Sequence, residues 1–206
     1  MGVKERREIE KEQRRGLILD AARSLLLTIG MNEISVSKIA KEAELGVGTI
    51  YFYYKSKEEI FAELQIEGLE ILHKTINKIS TEKTSLSKML VKIGEAYYKF
   101  SEDEKDYYDI INYFISSSDV VFSPVIKAGI DSTGNKTLMV IEKVIIRGIK
   151  EKEFKHVNEK EFAIMFWGML HGLVQFKKIE KTILLGHNHR EIFTNSLKYL
   201  VNSLKP

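Results

Sequence analysis

The chain has 206 residues, with 32 basic and 29 acidic side chains, a formal net charge of +3 and no cysteine. Without cysteine there are no disulfides and no thiolate metal sites, which fits a reducing cytoplasm. No apolar run approaches the roughly 18 residues of a membrane span, and the charged N-terminus is unlike a signal peptide, so a soluble, cytoplasmic protein without membrane contact is expected.

Only two prolines, and apolar residues at helical spacing almost throughout, predict an all-α fold. Lys4 to Arg15 is a charged run with two readings. One is a solvated extension of the first helix held by pairs such as Glu10–Arg14, and the other is an arm whose arginines reach DNA. Leu17 to Ile29 is amphipathic through Ile18, Ala21, Ala22 and Leu25, with Gly30 as a fitting stop. Ser35 is the N-cap of a short helix through Val36, Ile39, Ala40 and Ala43, ending near Glu44. Leu45-Gly46 makes a turn, Val47 to Tyr54 a second short helix, and Ser56 with Glu59 a capping box for a third. Two short helices joined by a tight turn, with another behind, is the geometry that sets a helix into the DNA major groove, although generic helical hairpins share it.

Residue types sharpen that reading. Val47 to Tyr54 carries no charged side chain, glycines stand at 46 and 48, Thr49, Tyr51 and Tyr53 bring hydroxyls, and Lys55 and Lys57 follow at once. Small residues, hydroxyls and flanking cations suit a helix pressed against phosphates. The bland alternative is a small helical subdomain in which the tyrosines are core, as Ile50 and Tyr54 are expected to be.

Ile18-Leu19, Ala21-Ala22, Leu25-Leu26, Gly30, Val36, Ile39-Ala40, Gly48-Thr49-Ile50-Tyr51, Tyr54 and Ser56-Lys57-Glu58 resemble the N-terminal domain of the TetR family of transcriptional regulators, over roughly residues 10 to 64. The resemblance implies DNA contacts at Ser37, Lys38, Val47, Gly48, Thr49, Tyr51, Tyr53 and Lys57, with Lys55 beside them. Thr49, Tyr51 and Lys57 would meet phosphates, and Val47 and Tyr53 would read bases. Departures are visible: Glu44 and Leu45 stand where the family usually has Gly and Val, and Gly46 and Val47 replace a more common polar pair. Tyr54 replaces the usual Phe. No Arg or Lys is left on the second short helix to read guanine.

The third helix runs without a breaker to about Ile79 apart from Gly68, through Phe61, Leu64, Leu72 and Ile76. Ser80 to Ser85 is a polar loop. Further helices are predicted over Leu86 to Phe100, Glu104 to Ile115, and from Ser123-Pro124, with proline in the first helical position. Asp131 to Lys136 is either a loop or a polar turn inside one long helix. Helical spacing then continues to about Lys152. Asn158 with Glu161 opens a helix that is apolar nearly all round, Gly186 to His189 is a loop, and Glu191 to Leu204 is the last helix. The expected organisation is a helix-turn-helix domain with its charged extension over 1–60 and a helical effector-binding and dimerisation domain over 61–206.

A helix apolar on all sides must be covered on all sides. Ordinary packing within the chain is one answer. The other is a two-fold four-helix interface with the last helix of two subunits, which the resemblance also implies. Its candidates are Phe162, Met165, Gly168, Met169, Gly172, Phe176, Ile192, Leu197 and Leu200. Tyr97, Phe100, Tyr107, Tyr113, Phe114, Met139, Trp167 and His171 are either core or the lining of a mainly apolar pocket. Such a pocket would take an unidentified apolar small molecule, and in similar regulators its occupation changes the spacing of the two DNA-reading units. Enzyme signatures are absent: the five histidines show no H-E-x-x-H spacing and no serine sits in G-x-S-x-G. His187-Asn188-His189 is a weak metal candidate, and no cofactor is expected. The reading is a dimeric repressor of a palindromic double-stranded DNA operator, released by an apolar effector. The alternative is a helical adaptor or a partner-controlled regulator without a small-molecule effector.

Overall fold

The computed structural model describes residues 2–116, 122–179, 182 and 188–206, and among these every regular element is a helix. α1 is Val3–Ile29, α2 Val36–Glu42, α3 Val47–Tyr53, α4 Lys57–Ser80, α5 Leu86–Asp103 and α6 Lys105–Ser116. α7 is Pro124–Lys150, α8 Glu159–Gln175 and α9 His189–Asn202. No helix among the described residues is long and apolar enough to cross a membrane.

Most helix starts among the described residues are set by side-chain caps. The hydroxyls of Ser35 and Ser85 accept from the amides of Lys38 and Lys88. Asn158 and Asn188 accept from Glu161 and Glu191 in the same way. The start of α4 varies the expected capping box: Ser56 Oγ accepts from the Glu59 amide at 3.4 Å, but the Glu59 carboxylate turns back to the amide of Lys55 at 2.7 Å. The charged run is part of α1, exposed from Lys4 to Arg14. α1 ends at Gly30, which adopts the positive φ of 74° that glycine takes without a Cβ penalty. Asp131–Lys136 lies inside α7, so the helical reading of that stretch holds.

Packing divides the chain into two compact units, and α4 and α7 each give one end to each of them. The first comprises residues 1–68 and 106–130. Its core is Ile18, Ala22, Ile34, Ile39, Ile50, Tyr54, Ile60, Phe61 and Leu64, joined by Ile110 of α6, with Tyr107, Tyr113 and Phe114 packed against it. α6 can lie this close because residue 68 is glycine: a Cβ there would sit 2.9 Å from the Cβ of Tyr107.

The second unit comprises residues 69–105 and 131–206. α5, α8 and α9 pack mutually, with Ile93, Tyr97, Phe166, Leu170, Phe193 and Leu197 buried. α5 and α9 meet at Gly94, where a Cβ would fall 2.5 Å from a methyl of Leu197. The turn after α7 brings Glu153 to the start of α5, where its carboxylate accepts from the amides of Leu86 (2.9 Å) and Ser87 (2.7 Å). With Ser85 on Lys88, the first three orphan amides of α5 are thereby satisfied.

Burial pushes the Glu153 carboxyl up, but the Ser87 and Leu86 amides outweigh it and hold the group below the ordinary value of 4.5. A depressed carboxyl stabilises the fold above its unfolded-state value and stops doing so as pH falls through the folded one. Glu153→Ala is therefore expected to cost about 1 kcal/mol at neutral pH, the usual size of a lost cap. The wild-type advantage should be smaller at pH about 3 than at neutral pH. Urea unfolding of both proteins at the two pH values measures this, and an equal difference at both would exclude a charged cap.

Candidate nucleic-acid interface

α3 is seven residues long, too short to persist alone, and it is ordered by what it buries. Ile50 is fully covered, Tyr54 at its end is buried, and Tyr53 and Leu45 pack against the same core. What remains outward is Val47, Gly48, Tyr51 and Phe52, with exposures of 39% for Val47, 55% for Tyr51 and 79% for Phe52. These positions recur at i, i+1, i+4 and i+5, one side of a helix. Thr49 is half-buried on the flank, and Lys55 is exposed just beyond the end.

Ser37 and Lys38 are exposed on α2, and Lys38 Nζ donates to the Glu33 carbonyl at 2.6 Å. Lys57 is half-buried and its Nζ donates to the Ile34 carbonyl at 2.9 Å, so it ties the start of α4 to the strap before α2. Tyr53 is half-buried, with its ring edge-on to Phe52 at 5.1 Å. The structure thus sets Val47, Gly48 and Tyr51 on one exposed face, with Lys38 and Lys55 exposed in the same unit. Phe52, the most exposed side chain of α3, was not singled out from the sequence, because helical periodicity separates core from surface but assigns no purpose to a surface aromatic.

Behind this face stands a polar network. Arg15 of α1 pairs with both oxygens of Glu63 of α4 at 2.5 and 2.6 Å, and its guanidinium lies 5.4 Å from the centre of the Tyr54 ring. Burial, reinforced by the Glu63 charge, raises the Tyr54 phenol far above its ordinary value. One turn on, the Tyr107 hydroxyl donates to Glu67 at 3.1 Å and Arg23 lies over the Tyr107 ring. Burial raises Tyr107 to about 12 and also raises Glu67, against the pull of the Tyr107 hydrogen bond.

The turn between α2 and α3 contains a strained residue. Glu44 has φ 55°, the left-handed region that L-residues enter at a cost.

The effector candidates divide between the units. Tyr107, Tyr113 and Phe114 belong to the first, where the Phe114 ring centre lies 6.3 Å from Phe61 and 4.9 Å from Phe122. In the second, the Tyr97 hydroxyl and His171 Nδ1 share a hydrogen bond of 2.9 Å, and the Tyr97 ring meets Trp167 edge-on at 4.8 Å. Phe100 is buried beside a cleft of about 250 Å³ that Ile71, Thr75 and Ala96 also line, and Met139 is exposed. Two polar groups not anticipated from the sequence, Gln65 Oε1 and Thr137 Oγ1, are buried without a hydrogen-bond partner among the described residues.

Of the interface candidates, Met165 and Phe176 are exposed and Gly168 faces open space, as does Gly172. Met169, Ile192 and Leu200 are half-buried. Phe162 and Leu197 are buried within the chain itself. Exposed Ile164 on α8 and Tyr199 on α9 join this set. His187 and Gly186 lie outside the described residues. His189 is buried, with Nδ1 3.3 Å from the Tyr98 hydroxyl and Nε2 2.7 Å from the Leu173 carbonyl.

Residues 18–64 match the family model described as "Bacterial regulatory proteins, tetR family". Over 79 residues the chain is 37% identical to the fatty acid metabolism regulator protein of Bacillus subtilis (strain 168), a match covering 36% of this chain and 41% of that protein. The match thus spans less than half the length of this relative. The fold is similar to the transcriptional regulator FadR from Bacillus subtilis in complex with stearoyl-CoA, with a TM-score of 0.75 and 21% identity over 91% of this chain and 97% of that one. It is also similar to the fatty acid degradation regulator FadR from Bacillus halodurans (TM-score 0.75, 20% identity, 93% and 96% covered). A tetR-family protein from Rhodococcus RHA1 is equally close in fold (TM-score 0.75, 17% identity, 93% and 97% covered).

Glu44→Gly is expected to raise stability by roughly 0.5–1 kcal/mol, the relief of the left-handed strain less the extra freedom of glycine in the unfolded chain. Thermal unfolding of the two proteins reads the shift, and a destabilised variant would show that the Glu44 side chain contributes more than its backbone costs.

Proposed function

We propose that this chain, whose residues 18–64 are a TetR-family DNA-binding domain, is a DNA-binding transcriptional regulator that works as a homodimer on a palindromic operator. The observation that carries the reading is the outward face of α3, exposed and uncharged, in a unit that also exposes Lys38 and Lys55. Lysines supply affinity through counterion release, and the neutral face can approach base edges without desolvating a charge. Ser37, Lys38, Thr49, Tyr51, Lys55 and Lys57 serve the backbone, Val47 and Gly48 lie toward the bases, and Tyr53, half-buried against the core, stands at the edge of that face. On this reading residues 1–60 carry DNA recognition and 61–206 carry control. The relatives named above are regulators, and the chain is read as one, not as an enzyme.

Two-fold symmetry follows from economy. One helix of two turns reads few bases, and two of them in a dimer read a palindrome with half-sites about one turn, roughly 34–36 Å, apart. The strip of Ile164, Met165, Gly168 and Gly172 on α8, continued by Phe176 just after it and with Tyr199 on α9, supports a self-complementary contact.

The regulator acts as a repressor, and its effector is a mainly apolar small molecule. The fatty-acid regulators among its relatives, one bound to stearoyl-CoA, support a fatty acyl compound as the class. Release requires the effector to bind the non-DNA geometry better than the DNA-bound one, and only that difference drives it.

Fluorescence anisotropy on the DNA upstream of its own gene, against scrambled DNA at two salt concentrations, tests the central claim. Tight, selective binding that weakens with salt is expected. Lys55→Ala should weaken binding to all sequences alike and lower the salt slope by about one. Uniformly weak binding, followed by failure of a genome-wide DNA selection, would sink the regulator reading and favour the adaptor. Ile164→Asp places a charge on the proposed two-fold strip, and sedimentation should show monomers where the wild type sediments as a dimer. An unaltered dimer would move the interface elsewhere.

A further inference from the structure

The bases a helix can read follow from the side chains it turns outward. Guanine is read by Arg or Lys, adenine by Asn or Gln, and cytosine by Asp or Glu. None of these six residue types occurs between Val47 and Tyr53. The one major-groove base feature recognised by apolar contact is the thymine 5-methyl group.

The outward face of α3 is built for that feature. Val47 and Phe52 present an isopropyl group and a phenyl ring at the two edges of that exposed face, about 140° apart around the helix. The Phe52 ring is steadied by its edge-on contact with Tyr53, 82° between planes. Between them, at residue 48, an added Cβ would meet nothing within 4 Å. The fold therefore makes no demand for glycine at that position, and its absence of a side chain instead clears space in front of the helix. At 1.5 Å per residue, Val47 and Phe52 are also about 7.5 Å apart along the axis, so the two apolar groups bracket the face and do not stack on one line of it.

We infer that Phe52, together with Val47, is a specificity-determining residue that reads thymine methyl groups. Each operator half-site then presents thymines to the two edges of the α3 face. The inference rests on the DNA-binding reading above and adds to it the chemistry of the preferred sequence. It also separates the two sources of binding energy: lysines on phosphates give salt-dependent affinity, and apolar contacts with methyl groups give selectivity that releases no ions.

The test uses the full chain. Its preferred sequence is selected from random DNA, and each thymine in turn is replaced by deoxyuridine, which removes only the methyl group. Anisotropy titrations are run with the wild type, Phe52→Ala and Val47→Ala. The wild type should lose roughly fourfold in affinity at one or two thymines, the worth of a buried methyl, and this ratio should not change with salt. In Phe52→Ala the ratio at one of those thymines should fall to one. Circular dichroism should be unchanged, because the ring is exposed and holds nothing in place. Selective binding with every thymine replaceable at no cost would overturn the inference. So would undiminished methyl discrimination in both variants. If no sequence is enriched and all DNA is bound alike, the regulator reading itself fails and this one with it.

Discussion

Ile50 is the point on which the first unit turns. α3 has seven residues, a glycine at its N-cap and no side chain closing its first turn, so its helical form depends on burial of one face. That face is Ile50, with Tyr54 just after it, set among Ile18, Ile39, Phe61 and Leu64. Fixing the inward residues fixes the outward ones, since a helix rotated to bury Ile50 must expose Val47, Gly48, Tyr51 and Phe52. Recognition chemistry on this chain is thus the reverse side of a packing decision, and substitutions that loosen the Ile50 pocket would act on DNA without touching it.

A core of this size needs help. Two seven-residue helices bury little, and a domain of about 60 residues is marginal on its own. Two additions compensate. α6 lays Ile110, Tyr107, Tyr113 and Phe114 over the open side, admitted by the glycine at 68. Polar pairs then align the helices: Arg15 on Glu63 registers α1 against α4, and Tyr107 on Glu67 registers α6 against the next turn. Half-buried pairs of this kind add little net stability, because desolvation offsets the attraction. Their value is geometric, since an offset of either helix would leave a partly buried charge without its partner.

The all-α fold with an N-terminal helix-turn-helix was legible because its signals are local. Ser35 and Asn158 cap the helices they were expected to cap, and Gly30 ends α1. What was not legible depends on distant neighbours. The Glu153 cap on α5 joins residues 66 positions apart, and nothing in either stretch announces the other. Phe162 and Leu197 look like the exposed apolar residues beside them until the fold shows them facing inward. Asp131 to Lys136 has the composition of a loop yet continues α7, because its polar side chains fall mostly on the outer face. Glu44 is the reverse case, a residue ill suited to its backbone that the turn holds in place nevertheless. For the candidate site, the lysines and hydroxyls could be listed from the sequence, but the prominence of Phe52 required a structure.

The discontinuity of the first unit also has a bearing on biosynthesis. Residues 1–68 leave the ribosome well before residues 106–130, which complete the same compact unit. At translation rates of 5–20 residues per second the wait is roughly 3–12 s. Over that interval the apolar side of Phe61 and Leu64 that α6 will cover faces solvent or chaperones. The nascent chain therefore cannot engage DNA with a finished reading head until most of the protein has been made, so completion of the reading head is coupled to synthesis of the chain's middle.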